Sequence, residues 1–336
     1  MKISASLYSY SKEKSLEELV RELDAHEIDM LHIDCADDES VFDDIKRIRK
    51  ISSTPIDLHV ISSEPEKYFS KIEELKIEYA CLQYENMNRV PKLPQKRATQ
   101  YGLAFASETA TNAFKKAEDN YSFALMMATV PGQSGGTFNR INFQKIIDFK
   151  YRYPHTRIHV DGGINDSIAF ILRLLGVHVI VSGSYLMNHT SLGAGVLSFH
   201  KTPNGNGVHY HISDFFIPAA HLPVVTESET SFKNILQQIE KYGQGFAMIT
   251  DSRGKLTGVV TNADIRRGLL KHLDNLNEVS SENIINRNPV GISESATLAD
   301  MLRLLNNLSF IVLFLPVVDA QKKLKGAVLL NNLTRV

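Results

Sequence analysis

Leu31-His32-Ile33-Asp34 follows the run Ile28-Asp29-Met30 and leads into an acidic turn, Asp37-Asp38-Glu39. In a strand, alternate residues share a face, so His32 and Asp34 point one way while Leu31 and Ile33 point the other. A second strand-like run, Ile56-Asp57-Leu58-His59-Val60, offers another imidazole. A third, Arg157-Ile158-His159-Val160-Asp161-Gly162-Gly163, ends in a carboxylate before two glycines. Two histidines and two aspartates on three strand ends can converge on one divalent cation, with carboxylates left to move protons.

Outward from these runs, short β-rich segments alternate with amphipathic helical ones over the first 200 residues. The strands read as Lys2–Leu7, Met30–Asp34, Ile56–Ile61, Tyr79–Tyr84, Gly102–Ala106, Phe123–Ala128, Arg157–Asp161 and Val177–Ser182. Leu16, Leu19, Val20 and Leu23 recur at helical spacing, as do Phe143, Ile146 and Ile147. Eight such alternations predict an α/β fold, a (β/α)8 TIM barrel with helices outside. A doubly wound open sheet is the alternative, and no Gly-rich fingerprint follows the first strand to support it. In a barrel, chemistry belongs at the carboxyl ends of the strands, where His32, Asp34, His59 and Asp161 all fall. Glycine turns fall there too: Pro131-Gly132-Gln133-Ser134-Gly135-Gly136, Gly162-Gly163 and Gly183-Ser184. Backbone N–H groups in such turns can surround a phosphate, so the expected ligand is a phosphorylated small molecule.

Bulk properties set the frame. A chain of 336 residues predicts two domains. With 43% apolar and 22% charged residues it reads as an ordinary globular protein, and a formal charge of −1 argues against nucleic acid or an anionic membrane as partner. Neither a signal-peptide pattern nor a bilayer-length apolar run is evident. Cys35 and Cys81 sit in apolar runs and read as buried free thiols, which suits the cytoplasm.

Six motifs in order give the barrel a specific likeness: Ser6; His32 with Asp34; Asp57 with His59; Met127 leading into Pro131-Gly132; Val160-Asp161-Gly162-Gly163-Ile164; and Val181-Ser182-Gly183-Ser184. Together they resemble the ribulose-phosphate 3-epimerase family across the whole barrel. That resemblance implies a metal-dependent isomerase that epimerises C3 of a ketose phosphate, ribulose 5-phosphate or a related sugar phosphate, through an enediolate. It assigns the metal ligands to His32, Asp34, His59 and Asp161, the two proton-transfer groups to Asp34 and Asp161, and the cation to zinc, iron, manganese or cobalt. Substrate and phosphate contacts fall on Ser6, Met127, Gly135, Gly136, Gly162, Gly163, Gly183 and Ser184. Several walls depart from the family pattern. Its strand-four histidine becomes Gln83, its strand-five Asn-Pro becomes Ala106-Ser107, and a methionine after the strand-three histidine becomes Ile61. Altered walls around intact ligand positions imply a changed substrate or a weakened enzyme. A sugar-phosphate-binding protein without turnover is the rival from another class. A lone strand histidine is more commonly a packed core residue than a ligand, and His159, one layer deeper than Asp161, is expected to be one.

From about His200 to Pro223 the periodicity breaks, and residues 201–222 read as a linker between a barrel at 1–200 and a second domain at 223–336. Its four histidines, His200, His209, His211 and His221, are too irregularly spaced for a metal site. Beyond it lies a repeat: Asp251-(x)4-Leu256-x-Gly258-Val259-Val260 recurs as Asp319-(x)4-Leu324-x-Gly326-Ala327-Val328, with amphipathic helices Ser231–Ile239 and Thr297–Leu305 upstream. The two copies resemble a tandem pair of CBS domains, in a smaller α+β unit. Gly258-Val259-Val260-Thr261-Asn262-Ala263-Asp264 is similar to that family's nucleotide-binding pattern, which implies an adenine or other nucleotide effector held by Thr261 and Asp264, with Arg266-Arg267 for phosphate. The second copy has Leu329 and Asn332 at these positions. The pair can equally serve only to dimerise, and Asp264 can equally cap a helix. A homo-oligomer is expected.

Overall fold

The computed structural model describes residues 1–10, 14–132, 135–203, 210–275 and 279–334. Its chain divides into two units, Met1–Pro203 and Asn204–Thr334.

The first unit is a closed parallel barrel in sequence order: β1 (Lys2–Ser6), β2 (Met30–Cys35), β3 (Ile56–Val60), β4 (Tyr79–Gln83), β5 (Gln100–Phe105), β6 (Phe123–Met127), β7 (Arg157–Asp161) and β8 (Val179–Ser182). Pairing of Lys2 with Val179 and of Ser4 with Val181 closes it. Helices α1 (Leu16–Ala25), α2 (Val41–Ile48), α3 (Phe69–Glu74), α4 (Ile141–Arg152) and α5 (Asp166–Leu174) lie in the connections. The first begins where its sequence says it should. The Ser15 hydroxyl accepts the N–H of Glu18, whose carboxylate accepts the N–H of Ser15. Its buried residues are Leu19, Val20 and Leu23, the apolar face of the periodicity. After β8 come α6 (Ser184–Met187) and α7 (Leu192–His200). Two connections depart from the ideal alternation. The β4–β5 and β5–β6 links contain only 3-10 turns, Tyr84–Asn86 and Thr111–Lys116. Pro91 and Pro94 in the first link forbid a continuous helix.

The second unit holds two sheets: β10 (Val224–Thr226), β11 (Phe246–Thr250) and β12 (Leu256–Thr261); and β13 (Ile292–Ser293), β14 (Phe314–Val318), β15 (Leu324–Leu329) and β9 (Ile217–Pro218). The repeat is physical. In each hairpin the first Asp folds back on the turn: Asp251 Oδ1 accepts from the N–H groups of Arg253 and Lys255, and Asp319 Oδ1 from those of Gln321 and Lys323. The two tips pair, Leu256 N–H with the Lys322 carbonyl and Leu324 N–H with the Gly254 carbonyl. Helices α8 (Phe232–Tyr242), α9 (Asn262–Lys271) and α10 (Leu298–Asn306) pack beside the strands. Residues 212–222, expected as linker, contribute a 3-10 turn and β9 to this unit. They mirror 281–286. Ile217 lies over Gly326 as Ile285 and Asn286 lie over Gly258, and at either glycine a Cβ would overlap the crossing segment. A two-residue strand carries no readable period, so only its partner reveals it. Of the linker histidines, His211 faces the Ser295 carbonyl and His209 lies outside the described residues.

The floor of the barrel is closed by aromatic packing. The Phe123 ring presses on Gly102, where a Cβ would overlap it, and the His159 ring stacks on Phe123 at 4.1 Å. His159 is fully buried and its Nδ1 has no hydrogen-bond partner among the described residues. Burial pushes its pKa down to about 3. An unfolded chain protonates this ring near pH 6.5, so between 6.5 and 3 falling pH favours unfolding. His159→Leu is expected to flatten stability over that window and lower the acid-unfolding midpoint by roughly half a pH unit. Circular dichroism would detect it; an unchanged acid limb would refute the assignment.

Candidate active site

The upper half of the barrel interior is polar. Parallel register sets His32 against Asp57 and Asp34 against His59, so His-x-Asp on β2 faces Asp-x-His on β3 with each ring opposite a carboxylate. Ser6 pairs with His32 and Met127 with Asp161. The lower pair is sealed. Asp57 Oδ2 accepts the Ser4 hydroxyl at 2.9 Å and lies 3.0 Å from His32 Nδ1, all three groups being buried. The upper pair opens to the mouth. Asp34 Oδ1 lies 3.0 Å from His59 Nδ1 and 3.4 Å from His32 Nε2, and Asp161 Oδ2 lies 3.9 Å from the same His32 nitrogen. The other His59 nitrogen, Nε2, meets Gln83 Oε1 at 2.7 Å.

These contacts test whether a cation fits. An ionised Asp57 can only accept, so His32 donates from Nδ1 and turns Nε2 toward Asp34 and Asp161. That nitrogen is buried and without a hydrogen-bond partner among the described residues. Imidazole nitrogen and carboxylate oxygen from His32, Asp34 and His59 gather within 4.8 Å of one another. Acceptors facing acceptors repel unless a proton or a cation lies between them, and mixed N/O donors suit a divalent transition metal. The set fits such a group.

Where no cation sits, a proton relieves the same repulsion. Burial disfavours a charged His32, but the Asp57 and Asp34 carboxylates outweigh it and hold its pKa well above the ordinary value. Burial would raise Asp34, yet the His32 and His59 rings hold it well below the carboxylate range. Asp161 goes the other way: burial, aided by the Asp34 charge and opposed by His32, pushes it up to about 6. Two carboxylates at one mouth thus lie in opposite fields.

The glycine turns converge around this mouth. Gly162 and Gly163 take φ of 108° and 64°, values that favour glycine, and each sits where a Cβ would collide, with Thr129 and with the Gly136–Phe138 backbone respectively. Gly135 and Gly136 line a cavity of about 620 Å³ over the ends of β5 and β6, together with Ala106, Ser107 and Thr129. Gly183 abuts Ser9 and Ser6, whose hydroxyls lie 3.0 Å apart, and Ser184 opens α6. Met127 is buried with Cys81, Ala104, Phe123 and Leu125. Both cysteines are buried free thiols, and burial raises Cys35 to about 11. The acidic turn is not merely solvated: Lys67 holds Asp37 at 2.8 Å and Lys71 holds Glu39 at 2.5 Å. Nothing in the sequence pointed to Gln83 as the partner of His59, beyond the alternation that turns it inward, or to Glu85 as the partner of Gln83.

In the second unit, Thr261 and Asp264 form a capping box on α9. The Thr261 hydroxyl accepts the Asp264 N–H at 3.3 Å, and Asp264 Oδ2 accepts the Thr261 N–H at 2.9 Å, while Arg267 bonds Oδ1. Thr297 and Asp300 repeat it on α10, with Arg303 in the place of Arg267.

Residues 2–187 match the model of the ribulose-phosphate 3 epimerase family, and residues 212–271 and 281–336 match that of the CBS domain. The chain belongs to the ribulose-phosphate 3-epimerase family, an isomerase family, and carries a tandem CBS pair behind the barrel. Ribulose-phosphate 3-epimerase of Helicobacter pylori (strain ATCC 700392 / 26695) is 27% identical over 200 residues, spanning 55% of this chain and 90% of that protein. The enzyme of the same name from Aquifex aeolicus (strain VF5) is 29% identical over 170 residues, 46% of this chain and 76% of its own. Among solved structures, CBSX2 from Arabidopsis thaliana is 27% identical, covering 38% of this chain and 94% of that one with a TM-score of 0.32. No helix among the described residues is long and apolar enough to cross a membrane.

Asp264→Ala removes the carboxylate that accepts from the Thr261 N–H and hydroxyl and is expected to cost the start of α9 about 1 kcal/mol. Hydrogen exchange of the α9 amides in the full chain reads this directly; protection equal to wild type would deny Asp264 a capping role.

Proposed function

We propose that the barrel holds a divalent cation (zinc, iron, manganese or cobalt) through His32, Asp34, His59 and Asp161, and inverts C3 of a ketose phosphate, ribulose 5-phosphate first. The observation that carries this reading is the convergence of His32, Asp34 and His59 ligand atoms at the mouth, with the buried His32 Nε2 lacking a hydrogen-bond partner among the described residues and turned toward Asp34 and Asp161. A bound cation supplies Lewis-acid polarisation of the ketone, which makes the neighbouring C–H acidic. Asp34, kept ionised between two imidazoles, takes the proton from one face of C3. Asp161, whose proton affinity burial raises, returns a proton to the opposite face of the enediolate. Two groups whose environments differ in this way support inversion better than two alike.

The phosphate falls to the N–H groups of Gly162, Gly163, Gly183 and Ser184, with Ser6, Met127, Gly135 and Gly136 bounding the sugar. Thr261 and Asp264 are read as the seat of an adenine or other nucleotide effector, whose ribose hydroxyls would displace Arg267 from Asp264. A homo-oligomer follows from the same reading of the CBS pair.

The deciding measurement is solvent deuterium incorporation at C3 of ribulose 5-phosphate by zinc-, iron-, manganese- or cobalt-loaded protein. Exchange is expected with at least one cation and lost on chelation. Binding of the sugar phosphate without exchange would leave a binding protein in place of an enzyme. Asp34→Asn and Asp161→Asn should each lower kcat by about 10²–10⁴-fold. Normal turnover in the Asp161 variant is incompatible with two-sided proton transfer.

A further inference from the structure

His59 is tied down through a chain of groups that runs away from the mouth along β4. Its Nε2 meets Gln83 Oε1 at 2.7 Å, and Gln83 Nε2 donates to Glu85 Oε2. Glu85 Oε1 in turn accepts the Ala106 N–H at 2.8 Å. Gln83 is 1% exposed and His59 fully buried, so neither can exchange these partners for water. The Ala106 carbonyl is itself held by the Lys145 amino group at 2.5 Å, which ties the end of β5 to α4.

The polarity of every bond in this chain is decided at its outer end. A carboxylate accepts only, so Glu85 must face the NH2 of the Gln83 carboxamide. The carboxamide oxygen is then left for His59, which must carry its hydrogen on Nε2. That leaves Nδ1, 3.0 Å from Asp34 Oδ1, as the nitrogen that faces the carboxylate through either a proton or a cation. His32 reaches the same state by a shorter route, through one buried carboxylate, Asp57. The two rings differ in what stands behind them: a full negative charge behind His32, and a neutral amide with its charge one group further out behind His59.

We propose that Gln83 and Glu85 are a positioning pair that fixes the tautomer and plane of the His59 ring, so that Nδ1 is presented as a ready ligand for a divalent cation. This rests on the cation reading of the site. Gln83 thus takes over a task at the position where the family resemblance expects a histidine. A histidine can present either a donor or an acceptor, whereas the carboxamide backed by Glu85 presents an acceptor alone. The asymmetry also sets the relative basicity of the two ligand nitrogens, His32 Nε2 above His59 Nδ1.

Zinc alone is the probe, titrated into full-length protein against a competing chelator, beside imidazole nitrogen spectra of 15N-histidine protein at pH 8 assigned with His59→Gln. Metal-free wild type is expected to show His59 protonated on Nε2. Gln83→Leu should lose that preference and weaken zinc binding about 10–100-fold. The exchanged pair, Gln83→Glu with Glu85→Gln, keeps the direction of every bond and should restore affinity to within a few fold. Zinc bound as tightly by Gln83→Leu as by wild type, or a wild-type His59 without a proton on Nε2, overturns the pair. Wild type that takes up no zinc although His59 is protonated on Nε2 overturns the cation reading and leaves the ring lock as measured. Should Gln83→Leu fail to fold, the wild-type spectra and the exchanged pair still decide.

Discussion

Two imidazole rings can aim lone pairs at one point only if each has somewhere to put its other N–H. This requirement organises the barrel mouth. Parallel register between β2 and β3 sets His-x-Asp against Asp-x-His, so a ring and a carboxylate face each other on two successive levels. The lower carboxylate, Asp57, is sealed in by Ser4 and serves His32. The upper one, Asp34, reaches the mouth and stands among the nitrogens it shares a face with. A one-residue slip between these strands would turn every one of these groups out of the interior.

Such a polar interior is costly unless its members satisfy one another, and the strands below the mouth show how that cost is contained. Phe123 lies flat over Gly102 and carries His159 on its other side, a dry plug beneath the polar levels. Above it, the glycine turns after β6 and β7 fold against each other at Thr129 and Phe138, with no room for a side chain. A cavity opens over the ends of β5 and β6, where Ala106 and Ser107 stand. Departures from the family pattern are concentrated there and at Gln83, whereas the cross-strand box is intact.

The second unit obeys a different rule, repetition. Each half closes a hairpin with an aspartate folded onto its own turn, and each places a glycine under a crossing segment. The same Thr-x-x-Asp box starts α9 and α10, with an arginine three residues on in both. A motif that caps helices twice within one unit is first a device of local structure; any ligand at Thr261 and Asp264 has to compete with the bonds already made there.

The sequence alone determined what depends on local periodicity and on short motifs. Eight β/α alternations specified the barrel strand by strand, the spacing of Leu16, Leu19, Val20 and Leu23 announced α1, and the hairpin repeat announced a doubled second unit. Alternation within strands was also enough to turn His32, Asp34, His59 and Asp161 toward one interior. What it did not contain was anything set by pairing between distant segments. Which nitrogen of each ring faces the mouth depends on Asp57 and Gln83, and their reach depends on strand register. The recruitment of Ile217–Pro218 into a sheet likewise follows from a partner far along the chain. Hydrogen bonds between segments brought together only by folding leave no period in the sequence, and the tertiary structure alone decided them.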